Sequence, residues 1–303
     1  MNMWKTFISA CLLAGMTTAA AAQNGGTALP FTRIERNPRA AALAGAGAAS
    51  LHNASAWSAF GGSALLPFMD GKVDAALGVQ LWEPSNTVDK ATHFQGGAGL
   101  HFGNFGVAIG GAYQMGTPSG NFRPSDQVVS LGFSYGIGKR LSLGINGRWA
   151  GQQLAPGVRF NGFSMDVAVL GRITPELSAT LGVNTLGTLI TDSNGQPFGQ
   201  PSCAYAGVAW DKAIGSDHRV ELMLDGDYNF DGSFGGAFGA EYAFRQMLSV
   251  RAGYRLAARN TVIPSHLALG VGFHFAGFRL DVSWFTASAL LKNTLNLGIG
   301  YRF

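Results

Sequence analysis

Charged residues are scarce in this chain, only 13% of 303 positions, yet beyond the N-terminus no apolar run reaches the roughly 18 residues that a membrane-crossing helix needs. The first shortage is unusual for an ordinary water-exposed surface. The second excludes a bundle of spanning helices. Cysteine is almost missing too: Cys11 and Cys203 are the only two, and if the N-terminus is removed on export Cys203 stands alone, so no intrachain disulfide can form. The formal charge of +4 is too small to point to nucleic acid. What the chain does have is 47% hydrophobic residues and 44 glycines, spread evenly instead of in blocks. A membrane β-barrel produces that distribution, because alternate residues of each strand face lipid and lumen.

Residues 1–22 read as a cleaved signal peptide: Lys5 precedes an apolar stretch over 7–16, and Ala20, Ala21 and Ala22 stand before Gln23. A lipoprotein box at Cys11 is set aside, because most of the apolar run follows that residue. From residue 72 onward the sequence falls into segments of about ten residues with period-two alternation. In the last, Leu295, Leu297, Ile299, Tyr301 and Phe303 alternate with Thr294, Asn296, Gly298, Gly300 and Arg302. Strands are expected near 72–82, 92–102, 105–115, 125–137, 140–150, 163–173, 176–186, 203–212, 218–229, 235–244, 247–257, 265–275, 277–286 and 293–303, giving a 14-stranded antiparallel transmembrane β-barrel. A soluble sandwich would seldom keep large apolar residues on one face of every strand, edges included. Tight turns at Gly103-Asn104, Gly138-Lys139, Thr174-Pro175, Arg245-Gln246 and Ala276-Gly277 alternate with long loops at 83–91, 116–124, 151–161 and 187–201, which places the tight turns and both termini in the periplasm.

Residues 23–71 lack sustained alternation and form an N-terminal plug-like segment, ahead of a barrel over 72–303 too wide for its own side chains to fill. Inward-facing glycines, Gly97, Gly99, Gly110, Gly132, Gly270 and Gly272, either let plug backbone approach the wall or relieve crowding and allow curvature. Inward charges of both signs, among them Arg148, Asp166, Arg172, Glu221, Glu241, Arg251 and Asp281, point to ion pairs across the lumen more than to a single-sign filter. Outward Phe102, Phe105, Tyr135, Trp149, Tyr242, Tyr254 and Trp284 fit interfacial girdles. Tyr301 and Phe303 resemble a C-terminal signal read by the barrel-assembly machinery.

No catalytic constellation, cofactor site or metal site emerges. Gly132-Phe133-Ser134-Tyr135-Gly136 has the G-x-S-x-G spacing of hydrolases but lies inside a strand, where no nucleophile elbow can form. His266 and His274 share a face but are too far apart to specify a metal site or a triad. Asp225, Asp227 and Asn229 partly match a calcium loop, with Phe230 at the sixth position, where glycine is required; the alternative is a solvated acidic strand end.

Asn37-Pro38-Arg39-Ala40-Ala41-Ala42-Leu43-Ala44-Gly45-Ala46-Gly47-Ala48-Ala49-Ser50, followed by Asn53-Ala54-Ser55-Ala56, resembles the N-terminal signature of the PorV/PorQ family, itself similar to FadL-type transporters. The resemblance implies a non-enzymatic FadL-like barrel in the outer membrane of a Gram-negative, Bacteroidota-like bacterium, held among outer-membrane lipids. For PorV and PorQ it implies a role in type IX secretion, attaching or shuttling surface proteins or cargo; the alternative is a FadL-like channel for a hydrophobic small molecule. The chain departs from the family where Phe60-Gly61-Gly62-Ser63-Ala64-Leu65 replaces the usual Asn-Pro-Ala-Leu run.

Overall fold

The computed structural model describes residues 27–82, 90–191, 194–258, 261–286, 288, 291 and 293–303. The expected signal peptide and most of the first long loop lie outside the described residues. Fourteen strands form one closed antiparallel sheet: β1 Val73–Trp82, β2 Ala91–Phe102, β3 Phe105–Met115, β4 Ser125–Ile137, β5 Leu141–Ala155, β6 Val158–Arg172, β7 Leu177–Gly187, β8 Cys203–Ile214, β9 His218–Asn229, β10 Phe234–Phe244, β11 Leu248–Ala257, β12 His266–Phe275, β13 Phe278–Thr286 and β14 Thr294–Arg302. Each pairs with its sequence neighbours, and β14 closes on β1 from Asp74↔Arg302 to Leu81↔Leu295. Closure leaves no edge, so every strand finds its ladder partners inside the sheet.

The alternation that marks the strands is a burial alternation. In β4, Val129, Leu131, Phe133 and Tyr135 are exposed while Val128, Ser130 and Ser134 are buried, and all fourteen strands carry large exposed apolar residues. In water such a surface would drive aggregation; hydrocarbon is the surrounding it suits. Among the described residues no helix is long and apolar enough to cross a membrane. Aromatic contacts gather at the end of the barrel that carries the C-terminus and the tight turns, the near end, where Phe102 stacks on Phe105, Phe105 meets Tyr135, and Tyr301 lies between Phe278 and Phe303. The expectation of both termini at this end holds for Phe303 alone: the first described residues lie at the opposite, far end, where Ala28 donates to the Gly199 carbonyl at 2.9 Å and Leu29 and Phe31 pack with Ile190.

One expected loop is mostly strand. Instead of a long connection over 151–161, β5 runs to Ala155 and β6 starts at Val158, leaving only Pro156 and Gly157 to turn, with Gly157 at φ 76°. Gln152, Gln153, Arg159 and Asn161 carry this extension; beyond the hydrocarbon the ladder needs no apolar outer face, so polar composition is no evidence against a strand there.

Residues 27–71 run inside the barrel as short turns: 3-10 stretches Pro30–Arg33, Leu51–Asn53, Ala56–Phe60 and Ser63–Phe68, and one α-helix, α1, Pro38–Ala42. Asn37 caps α1 by accepting from the Arg39 N–H at 3.0 Å, and Pro38 takes the first helical position, where its missing N–H costs nothing. Small residues let this segment touch the wall. An added Cβ at Gly144 would lie 2.2 Å from the Ala64 nitrogen, and at Gly253 2.1 Å from the Leu43 carbonyl carbon, so only glycine admits the backbone there. Of the glycines singled out above, Gly97, Gly99, Gly110 and Gly270 face the segment, whereas Gly132 crowds mainly Asn146, and Gly272 the Arg251 guanidinium.

Candidate functional site

A cavity of about 620 Å³ lies between the luminal segment and the wall. Its apolar lining comes from Phe31, Ile34, Trp57 and Phe60 of the segment and from Trp82, Phe285 and Leu291 of the wall and its connections. That volume suits a small organic molecule. Trp57 and Phe60 stack with ring centres 6.3 Å apart.

Arg36 stands at this lining as a buried cation held by carbonyls. Its guanidinium donates to the oxygens of Phe31, Thr32 and Ile34 at 3.1 to 3.4 Å and lies 5.3 Å above the Phe60 ring. Burial and the neighbouring Arg148 guanidinium pull it below the usual arginine range; the carbonyl cradle and ring face favour its charge. Gln95 fixes the same residue by donating to its carbonyl at 2.8 Å. Beside it, burial pushes the Glu35 carboxyl above the usual carboxylate range, although the Asn37 N–H donates to it at 2.8 Å.

The residues of the N-terminal signature are spent on internal contacts. Arg39, 4% exposed, donates to Glu241 at 2.9 Å, Glu221 at 2.7 Å, Ser50 at 3.1 Å and Asn53 at 2.7 Å. Burial opposes its charge, but Glu241 and Glu221 outweigh burial and hold it above the usual arginine range. Pro38 packs so closely on Gly298 that a Cβ there would come within 2.6 Å of the ring. Gly45, at φ 83°, ends α1 by donating to the Ala40 carbonyl at 2.9 Å. Gly47, at φ 104°, has Asn53 and Met223 against its α-carbon and donates to Asp225 at 2.7 Å.

Several sequence expectations resolve differently. The inward charges pair along the wall and with Arg39, not across the lumen, because the segment occupies the space between. Glu241 also meets Arg219 and Arg251, Arg251 meets Asp281 at 2.5 Å, and Asp74 takes both Arg279 and Arg302 at 2.9 Å. Arg148 pairs with Asp166 at 2.7 Å. Arg172 is instead exposed at the near end, donating to the Pro175 carbonyl. Asp225 accepts from the Gly47 and Ala48 backbone, and Asp227 from Arg255 at 2.5 Å, while Asn229 donates to Asp227. That acidic strand end is committed to the segment and to arginine, and no group fit to hold a metal ion occurs among the described residues. Ser134 sits within β4 and donates to the Gly106 carbonyl, without an elbow. His266 contacts the Pro264 carbonyl at 2.9 Å and the Phe285 ring, and His274 approaches Asp281 at 4.0 Å. Tyr301 and Phe303 meet edge to face outside the near end.

Glu35, Arg36, Trp57, Phe60, Gln80, His93, Gln114 and Asp126 line the cavity without having been singled out in the sequence. For the last four the available signal was a polar residue near the far end of a strand with inward parity.

No protein-family model matches the sequence, and no curated protein matches it. Among solved structures, the toluene transporter TbuX of Ralstonia pickettii aligns with a TM-score of 0.62 over 89% of this chain and 99% of its own, at 12% identity. The CymD monoaromatic hydrocarbon channel gives 0.61 over 92% and 99%, at 13% identity, and a FadL homologue of Pseudomonas aeruginosa gives 0.57 over 88% and 98%, also at 13%. At such identities the likeness concerns the fold, the 14-stranded barrel of FadL-type outer-membrane proteins. The expected FadL-like architecture is therefore present, while the PorV/PorQ assignment rests on the N-terminal signature alone.

Proposed function

We propose that this chain is a FadL-like conduit that takes hydrophobic small molecules across the outer membrane of a Gram-negative bacterium. Residues 1–22 are removed on export, the near end faces the periplasm, and residues 23–71 form the plug. The observation that carries this reading is the cavity of about 620 Å³ whose aromatic lining is shared by wall and plug: a ligand there touches the element that must move for it to pass. The hydrocarbon channels and toluene transporter that share the fold support the same chemistry. The protein is no enzyme in this reading, and its surroundings are lipid and the assembly machinery that inserts it.

The secretion-platform reading has less behind it. Asn37, Pro38, Arg39, Gly45 and Gly47 are engaged inside the barrel, and the connections at 156–157 and 230–233 are too short to dock a large cargo.

A disulfide lock tests the conduit. The Ala46 Cβ lies 3.1 Å from an ideal Cβ at Gly239, a few tenths of an ångström short of the usual disulfide range, so Ala46→Cys with Gly239→Cys, in a Cys203→Ser background, ties plug to wall. Uptake of a radiolabelled hydrophobic solute by outer-membrane vesicles should fall to the empty-vesicle level when the pair is oxidised and return on reduction. Uptake by the wild type no faster than by empty vesicles would overturn the conduit; uptake indifferent to the lock would overturn the moving plug.

A further inference from the structure

Five inward side chains form a continuous row around one side of the cavity. Register pairs Gln80 of β1 with His93 of β2, His93 with Gln114 of β3, Gln114 with Asp126 of β4, and Asp126 with Gln152 of β5. All five line the cavity. Directly opposed residues on neighbouring strands stand about 4.5–5.5 Å apart at Cβ, so the row presents one hydrogen-bonding head per strand across five consecutive strands.

The row is under-satisfied. Gln80 Oε1 and Gln114 Oε1 are buried and meet no partner among the described residues; Gln80 is 4% exposed. Asn296 of β14, register partner of Gln80, leaves its Oδ1 in the same condition. His93 is buried and forms no hydrogen bond among the described residues. Buried amides are rarely left unpaired, because desolvation is then uncompensated.

The character of a ligand follows from what this row can and cannot accept. A hydrocarbon would leave the Gln80 and Gln114 oxygens unpaired, with only Asp126 and Gln152 satisfying each other. A carboxylate only accepts, and it would bring a negative charge toward Asp126 and Glu35, while the Arg36 guanidinium is already engaged by three backbone carbonyls. A hydroxyl both donates and accepts, and an amide can answer it with either its oxygen or its NH₂ group. The aromatic remainder of the lining suits an apolar body.

We propose that the cavity takes a hydroxylated hydrophobe, an alcohol or phenol on an apolar or aromatic body, with its hydroxyl on the row formed by Gln80, His93, Gln114, Asp126 and Gln152. This rests on the conduit reading and specifies its substrate. Gln80 and Gln114 are then the residues that set specificity, and the apolar lining supplies affinity common to all hydrophobes.

The test is calorimetric titration of the purified, refolded full chain at pH 7 with toluene, p-cresol and p-toluate, which share a ring and methyl group and differ in the polar group. p-Cresol should bind at least about tenfold more tightly than either of the others, the discrimination expected of a hydrogen-bonded hydroxyl. Gln80→Leu and Gln114→Leu, each checked for heat-modifiable gel mobility as evidence of a folded barrel, should cut that preference about tenfold. Toluene binding as tightly as p-cresol to the wild type, or p-toluate binding best, would overturn the hydroxyl assignment while the conduit stands. Binding of none of the three would overturn the conduit and the assignment together. The wild-type comparison decides the matter even if a variant fails to fold.

Discussion

Replacing Arg39 by methionine should free the plug without opening the barrel. The guanidinium makes two charge-assisted hydrogen bonds, to Glu241 and Glu221, and two more to Ser50 and Asn53, all at 2.7 to 3.1 Å. Charge-assisted bonds contribute roughly 1.5–3 kcal/mol each, and removing one member of a buried pair costs about 3–5 kcal/mol. The lower end applies, because Glu221 keeps Arg219 at 3.2 Å and Glu241 keeps Arg219 and Arg251, so neither carboxylate is stranded. A loss of about 3 kcal/mol corresponds to roughly a hundredfold change in an opening equilibrium. Hydrogen exchange read by mass spectrometry should therefore show peptides over 37–60 exchanging about a hundredfold faster, while peptides of β9 and β10, held by ladders that do not use Arg39, keep their protection. Arg39→Glu should be more severe, adding a third carboxylate beside two. Unchanged protection in the plug, or plug and wall losing protection together, would refute the idea that Arg39 pins one element to a self-sufficient other.

Three further outcomes follow from the same geometry. Burial raises the Glu35 pKa above its usual 4.5, so the docked plug binds this proton more readily than the undocked chain and docking weakens as pH rises above 4.5 through the raised value; Glu35→Gln should flatten that dependence in pH-resolved hydrogen exchange of peptides over 28–37. Gly144→Val and Gly253→Val force side chains into the Ala64 and Leu43 backbone and should each cost about 1–3 kcal/mol of docking, seen as new proteolytic cuts within 27–71 on a barrel that keeps its heat-modifiable mobility. Cys203 is 1% exposed and receives a hydrogen bond from Arg33 at 2.5 Å; maleimide labelling should be slow in the wild type and rise with plug release in Arg39→Met, and equal rates would argue against a shared opening event.

How far the sequence reveals this structure depends on what each feature needs. Lipid on one side and plug on the other impose alternation on every strand, so residues such as Phe133 and Ile145 against Ser134 and Asn146 mark the barrel without any tertiary information. The same criterion fails where lipid ends, which is why the Gln152 to Asn161 hairpin reads as a loop. The turn of α1 is local chemistry, an Asn cap, a first-position Pro and a Gly stop, and is legible as such. The row from Gln80 to Gln152 is not: its members are separated by whole strands, and only register, fixed by the hairpins between them, lines them up. Trp57 and Phe60 gain their role from where the plug lies, a position set by wall glycines such as Gly97 and Gly110.

The two polar systems of the lumen differ in what remains unspent, and that separates their roles. On one side Arg39, Arg219, Arg251, Arg279 and Arg302 face Glu221, Glu241, Asp281, Asp74 and Asp211, each with at least one partner within 4 Å. Such a network holds its geometry, and of these residues only Arg251 leaves a buried side-chain atom, Nη2, without a partner among the described residues. On the other, the row on β1 to β5 has amide oxygens with no partner and no ion pair tying it to α1. Sites without shared partners should behave additively, within about 0.5 kcal/mol. Combining Gln80→Leu with Arg39→Met should therefore give a p-cresol affinity change equal to the sum of the two separate changes, the first acting on hydroxyl selectivity and the second on all three solutes alike. A coupling clearly larger than that would mean that plug docking sets the row, and that the arginine anchor is part of the recognition site.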